Sequence, residues 1–148
     1  MRILVDSAEI AITDEIEWLS RPPYTDGALC TFIGKVRDNQ EQTEALELEH
    51  YPGMTENALQ QFAQQAAQRW AINRITIIHR VGRIELGENI VFVGVTSAHR
   101  AEAFAACEYL MDYLKTKAPF WKKAMTKAGD NWVEAKESDV HRAQRWQK

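Results

Sequence analysis

Residues 89–123 read NIVFVGVTSAHRAEAFAACEYLMDYLKTKAPFWKK, and the order of patterns within them sets the fold class. Asn89–Ala98 is rich in β-branched residues and apolar on both faces, which predicts a strand in the middle of a sheet. From His99 to about Lys117, the residues Phe104, Cys107, Met111 and Leu114 recur at three- and four-residue spacing, so a helix follows. Pro119 disfavours helical backbone at Ala118 and marks the end of that helix. The continuation, FWKKAMTKAGDNWVEAKE, predicts a hairpin turned at Ala128-Gly129-Asp130, then a polar C-terminal helix or tail.

Outward from this stretch, Ile3–Val5, Gly27–Arg37, Ala45–His50 and Arg74–Val81 carry strand chemistry between turn residues. ALELEH (Ala45–His50) alternates apolar with acidic residues, as a strand with one wet face does. Thr13 is positioned to cap a short helix over Asp14–Ser20, with Asp14 and Glu15 in its first turn. Thr55 is positioned to cap a longer helix to about Trp70, with Leu59, Phe62, Ala63, Ala66 and Ala67 on one face. The order β-α-β-β-α-β-β-α-β-β predicts an α+β fold, helices packed on a mixed, mostly antiparallel sheet. With no repeat and no low-complexity linker, residues 1–148 read as a single domain.

Composition narrows the function classes. At 45% apolar content with five Trp, 148 residues supply a real core, which argues against global disorder. The formal charge of −3 argues against a general binder of nucleic acid or membrane surfaces. Asp6 and Glu9 interrupt the apolar N-terminal run, so no signal peptide is expected; nor is a membrane span or a location outside the cytoplasm. Charge is divided unevenly. Residues 1–60 hold four Lys/Arg against twelve Asp/Glu, while residues 61–148 hold fourteen against nine. A basic site for an anionic ligand in the second half, or an acidic first half that merely faces solvent, both account for this.

Several residues stand out. A helix starting at His99 offers free backbone N–H groups, and Arg100 in its first turn is electrostatically misplaced unless an anion joins it or it bends into solvent. At the other end, Lys115 and Lys117 precede Pro119, while Lys122 and Lys123 follow it. Ammonium groups brought together on one pocket repel, and the pKa of one falls into a useful range; dispersed, they are solvated surface. Lys35 and Arg37 lie two apart on a strand and share a face, where a bidentate Arg suits phosphate or a carboxylate terminus. The common nucleotide loops are missing, and His50, His79, His99 and His141 have no metal-ligand spacing. Cys30 and Cys107 form neither a disulfide framework nor a zinc set, and read as core.

The same segments carry a family resemblance. DGALCTFIGKVRDN, LELEHYPGMTENAL, IIHRVG, ENIVFVGVTSAHR and MDYLKTKAPFWKK, followed by GDNWVEAKESD, span about residues 26–139. In these strings the chain resembles the large, catalytic subunit of molybdopterin synthase. The resemblance implies an α/β-hammerhead type of fold and a sulfurtransferase of molybdenum cofactor biosynthesis. Sulfur would pass from the C-terminal Gly-Gly thiocarboxylate of a small ubiquitin-like partner to cyclic pyranopterin monophosphate, making the dithiolene of molybdopterin. It further implies a homodimer within a heterotetramer and no resident metal or cofactor. By position, Lys115 and Lys122 match the family's catalytic lysines. Lys35, Val36, Arg37, His99, Arg100, Lys115, Lys122 and Lys123 match its substrate-binding residues. Ala124 departs from an acidic residue in some relatives, and the loop Asp38–Glu44 is shorter than in some. The rival reading is a non-catalytic binding protein for a ubiquitin-like sulfur carrier, which needs the groove without the lysines. A small RNA- or ligand-binding regulator fits less well, for want of exposed aromatic strand motifs.

Overall fold

A computed structural model describes residues 1–38 and 42–147. In chain order the elements are β1 (Arg2–Asp6), α1 (Ile12–Leu19), β2 (Ala28–Lys35), β3 (Thr43–His50), α2 (Met54–Arg69) and β4 (Arg74–Arg80). They continue with β5 (Gly82–Glu85), β6 (Asn89–Ser97), α3 (Arg100–Thr116), β7 (Phe120–Thr126), β8 (Gly129–Val133) and α4 (Glu137–Gln144), followed by a 3₁₀ turn over Arg145–Gln147. The fold is α+β, as the sequence predicts. The loop expected over Asp38–Glu44 falls partly on residues 39–41, which lie outside the described residues.

The strands form two four-stranded sheets. The first runs β1-β4-β6-β2, with β1 parallel to β4 and the other pairings antiparallel. The second runs β5-β3-β7-β8 and is antiparallel throughout. β6 sits inside the first sheet with Ile90–Ser97 buried, in keeping with its two apolar faces. Successive residues of a strand point to opposite faces. Val91, Val93 and Val95 therefore join Ile75 and Ile77 of β4, Leu59 and Phe62 of α2, and Leu110 and Leu114 of α3 in the main core. Phe92 and Ile78 face the other way and pack with Leu19 of α1. A Cβ at Gly94 would lie 2.4 Å from Leu19 Cδ1, so a residue without a side chain is what lets α1 seat there. The main core also takes Leu48 and Ile84 from the second sheet, so one apolar cluster joins both.

Three local expectations are corrected. Arg74–Val81 reads as one strand ending in a turn, but a further strand, β5, leaves it at once for the other sheet. Gly82, with φ of +81°, supplies the bend. The helix caps are not the threonines. Ala11 precedes α1 without a side-chain bond, and α2 starts at Gly53, where the Glu56 carboxylate accepts the Gly53 N–H at 3.2 Å. Thr55 serves a longer-range purpose. Its hydroxyl accepts from the Tyr51 N–H and donates to the Pro119 carbonyl, both at 3.0 Å, tying the start of α2 to the turn after α3. The hairpin turns one residue earlier than expected: Thr126 pairs with Gly129, leaving Lys127 and Ala128 as the loop, and Gly129 takes φ of +127°. Among the described residues no helix is long and apolar enough to cross a membrane.

Candidate active site

A cavity of about 250 Å³ opens where the C-terminal end of α3 meets both sheets. Its walls come from Met111, Leu114, Lys115 and Thr116 of α3, Phe120 and Lys122 of β7, Leu48 of β3, and Ile90 and Val91 of β6. His79 of β4 lies within it, and the segment from Val133 to Asp139 forms one side. Register fixes the arrangement. Lys122 is paired with Leu48 on one side and Val133 on the other, so all three side chains project from one row of the second sheet. The two lysines thus reach one space from separate elements, one closing a helix and one opening a strand, across the Pro119 turn that Thr55 holds.

The lining includes three ammonium groups, Lys115, Lys122 and Lys136, against two carboxylates, Glu134 and Asp139. Lys122 is half-buried. Loss of water around its ammonium, with repulsion from Lys115, brings its pKa down to about 8 although Asp139 pulls the other way. His79 is buried, stacked on Phe120 with ring centroids 4.0 Å apart, and its Nδ1 lies 2.8 Å from the Arg80 carbonyl. Burial first, then the nearby positive charges of Lys122 and Lys115, lower its pKa to about 4, so the ring is neutral near pH 7. Composition and spacing did not single out His79. The signal was its parity with Ile75 and Ile77, which puts an imidazole on the inward face of a core strand.

The Val133–Asp139 wall is held from behind. Asp112 of α3 is buried and accepts from Arg142 Nε at 3.3 Å, Arg145 Nη2 at 3.1 Å and the Trp146 indole N–H at 2.7 Å. Glu108, one turn earlier on the same helix, pairs with Arg142 and with Arg145. Trp146 also packs edge-on against Trp70 and Tyr109.

The other residues singled out by the sequence are placed elsewhere. Lys123 points to the opposite face of β7 from Lys122, 3.8 Å from Asp130 and over the Trp132 ring. Lys35 donates to the Asn89 side chain at 2.7 Å, beside a separate hollow that includes Arg80 and Glu88. Val36 is buried core, its backbone paired with Glu88 and Gly87. Arg37 is exposed. His99 and Arg100 are exposed at the start of α3, about 22 Å along the helix axis from Lys115 at 1.5 Å per residue. Ala124 is buried in β7 and contributes no polar group. Cys107 is buried, and loss of water pushes its thiol well above the range of a reactive thiolate. Cys30 lines the same shallow groove as Cys107, beside Phe32 and Phe104. Among the described residues there is no group of three or more His, Cys, Asp or Glu able to hold a metal ion.

Comparison with known proteins gives one consistent picture. The family model described as MoaE protein matches residues 5–117. The molybdopterin synthase catalytic subunit of Salmonella typhimurium is 52% identical over 147 residues, covering 98% of this chain and 97% of that one. Among solved structures, the molybdopterin biosynthesis MoaE protein from Burkholderia ambifaria superposes with a TM-score of 0.85 at 44% identity, covering 99% of this chain and 98% of that one. Molybdopterin synthase from Staphylococcus aureus superposes at 0.77 with 30% identity, over 89% of this chain and 95% of that one.

Proposed function

The chain belongs to the MoaE protein family, and from that premise we propose how it does the work of a molybdopterin synthase catalytic subunit. It transfers sulfur from the thiocarboxylated C-terminus of a small ubiquitin-like partner to cyclic pyranopterin monophosphate, producing the molybdopterin dithiolene. The observation that carries the assignment of residues is the convergence of Lys115 and Lys122 on one cavity, with Lys122 tuned to about 8. Inserting sulfur requires the cyclic phosphate to open, and the oxygen that leaves must take up a proton. An ammonium whose pKa lies near the working pH gives that proton and regains it readily. The paired positive charges also draw in two anions, the pterin phosphate and the thiocarboxylate tail. A non-catalytic carrier-binding protein would have no use for a lysine so tuned.

Arg37, His99 and Arg100 are proposed phosphate ligands, while Lys35, Val36 and Lys123 are proposed as substrate-binding by the family match alone; Lys123 faces away from this chain's own cavity, beside Asp130. Within one chain His99 and Arg100 are a helix length from the cavity, so they serve it only from a second copy. That is the physical argument for a homodimer within a heterotetramer. Residues 1–148 act as one unit in this reading, in the cytoplasm, where thiols and thiocarboxylates stay reduced.

The test is direct. The chain, a thiocarboxylated carrier and pyranopterin substrate are combined, and dithiolene is looked for; Lys115→Ala and Lys122→Ala are run beside wild type. Dithiolene formed equally by both variants would remove the lysines from the chemistry.

A further inference from the structure

His79 is fixed on two sides. Phe120 stacks on its ring at 4.0 Å with 24° between planes, and Nδ1 meets the Arg80 carbonyl at 2.8 Å. A carbonyl only accepts, so Nδ1 carries the hydrogen, and in a neutral ring Nε2 is left with its lone pair. The same side chain lines the cavity that holds Lys115 and Lys122. Among the described residues no hydrogen bond engages Nε2.

We infer that His79 is a substrate-binding residue, its Nε2 accepting a hydrogen bond from an N–H of the pterin ring system. The inference rests on the reading of the cavity as a pyranopterin site and deepens it. Pterins carry ring N–H and amino donors as well as an anionic phosphate. The ammonium groups of Lys115, Lys122 and Lys136 serve the anion but have no lone pair to offer a donor. The carboxylates of Glu134 and Asp139 belong to the C-terminal wall, whereas His79 belongs to a core strand and is locked by stacking and by its Nδ1 bond. Burial and the adjacent lysines keep the ring unprotonated near pH 7, so Nε2 is an acceptor rather than a third competing cation.

The experiment compares two near-isosteres in the full chain. Asn at 79 places its amide near the Nδ1 position and can keep the Arg80 bond while losing Nε2. Gln reaches the Nε2 position with an acceptor oxygen. Pyranopterin binding is followed by its fluorescence, turnover with thiocarboxylated carrier gives KM and kcat, and carrier affinity is measured by calorimetry. His79→Asn is expected to weaken pterin binding and raise KM about tenfold, the worth of one hydrogen bond, with kcat and carrier affinity little changed. His79→Gln is expected to recover most of that loss. Wild-type pterin affinity in His79→Asn overturns the inference. So does equal weakening in both variants, which marks a structural role, or a loss confined to carrier affinity, which would mean that Nε2 receives an amide of the tail. A wild-type chain that binds pyranopterin through His79 but makes no dithiolene would sink the catalytic reading and leave this one standing. A wild-type chain that does not bind pyranopterin sinks both.

Discussion

The two ends of α3 carry basic side chains in opposite settings. Arg100 and His99 stand exposed at the N-terminus, where the helix dipole disfavours positive charge, and neither lines the cavity that Lys115 borders. Lys115, in the last turn, has the dipole in its favour and a cavity beside it, with a second lysine brought in by the neighbouring strand. The residue types alone do not tell these ends apart. What separates them is the Pro119 turn, which folds β7 back along the helix end and makes a pair of lysines out of residues seven apart in sequence. Under the proposed function, the C-terminal end does proton chemistry within a single chain and the N-terminal end binds.

The largest effect expected from this contrast is at the C-terminal end. Lys115→Ala should lower turnover by about 10²–10⁴-fold, the usual worth of a proton-transferring group, with an unchanged melting temperature. Lys115→Arg sharpens the point: it keeps the charge and removes a readily titrated amine, so near-wild-type turnover would reduce Lys115 to a cationic wall. In wild type a pH–rate limb should fall at about 8, the value set for Lys122, and should disappear in Lys122→Ala.

Next in size is an acid-stability effect beside the same cavity. His79 has a pKa of about 4 when folded and about 6.5 when unfolded, so on acidification the unfolded chain takes up the proton first. Stability should fall by roughly 3 kcal/mol as the pH drops from about 6.5 to about 4, then level off for this group. Denaturant midpoints across that range would show it. A His79→Gln chain with an equally steep slope would assign the loss to other groups.

At the N-terminal end the expected effect is smaller and of another kind. Arg100→Ala should raise KM for the pterin by about tenfold, more at low salt than at high, with kcat nearly preserved. Arg37→Ala, beyond the Lys35–Asn89 end of β2 and away from that helix start, is expected to do the same. A fall in kcat as large as that of Lys115→Ala would erase the distinction between the two ends. Smallest of all should be Cys107→Ala and Cys30→Ala, which are expected to keep full activity at a stability cost of about 1 kcal/mol. Loss of turnover in a folded cysteine variant would reveal a sulfur relay through the chain.

The stretch 89–123 was legible because each of its signals is local: an apolar run, a 3–4 periodicity, a proline. Lys115 and Lys122 were legible for the same reason, since they flank that proline. β5 was not, because RITIIHRVGRIE has continuous strand chemistry and only Gly82 betrays the change of sheet. Thr55 misled because a hydroxyl near a helix start has two equivalent uses, and the contact with Pro119 that decides between them comes from 64 residues away. His79 stood in the sequence only as one of four histidines without metal-ligand spacing, and nothing local marks it as a cavity residue. Its neighbours Phe120 and Lys122 reach it only after the second sheet has assembled.

The order of strands in the two sheets also has a consequence for the chain while it is being made. Every strand of the first sheet has been synthesised by Ser97, whereas β3 of the second waits for β7, which ends at Thr126. The interval is 126 − 97 = 29 residues, about 1.5–6 s of translation at typical rates of about 5–20 residues per second. Throughout that interval the β3 edge that β7 will cover is unpaired, in a strand where Leu46 and Leu48 alternate with Glu47 and Glu49. Those glutamates put like charges along the waiting edge of every nascent copy on a polysome, so that the strand repels its own kind until β7 emerges to cover it.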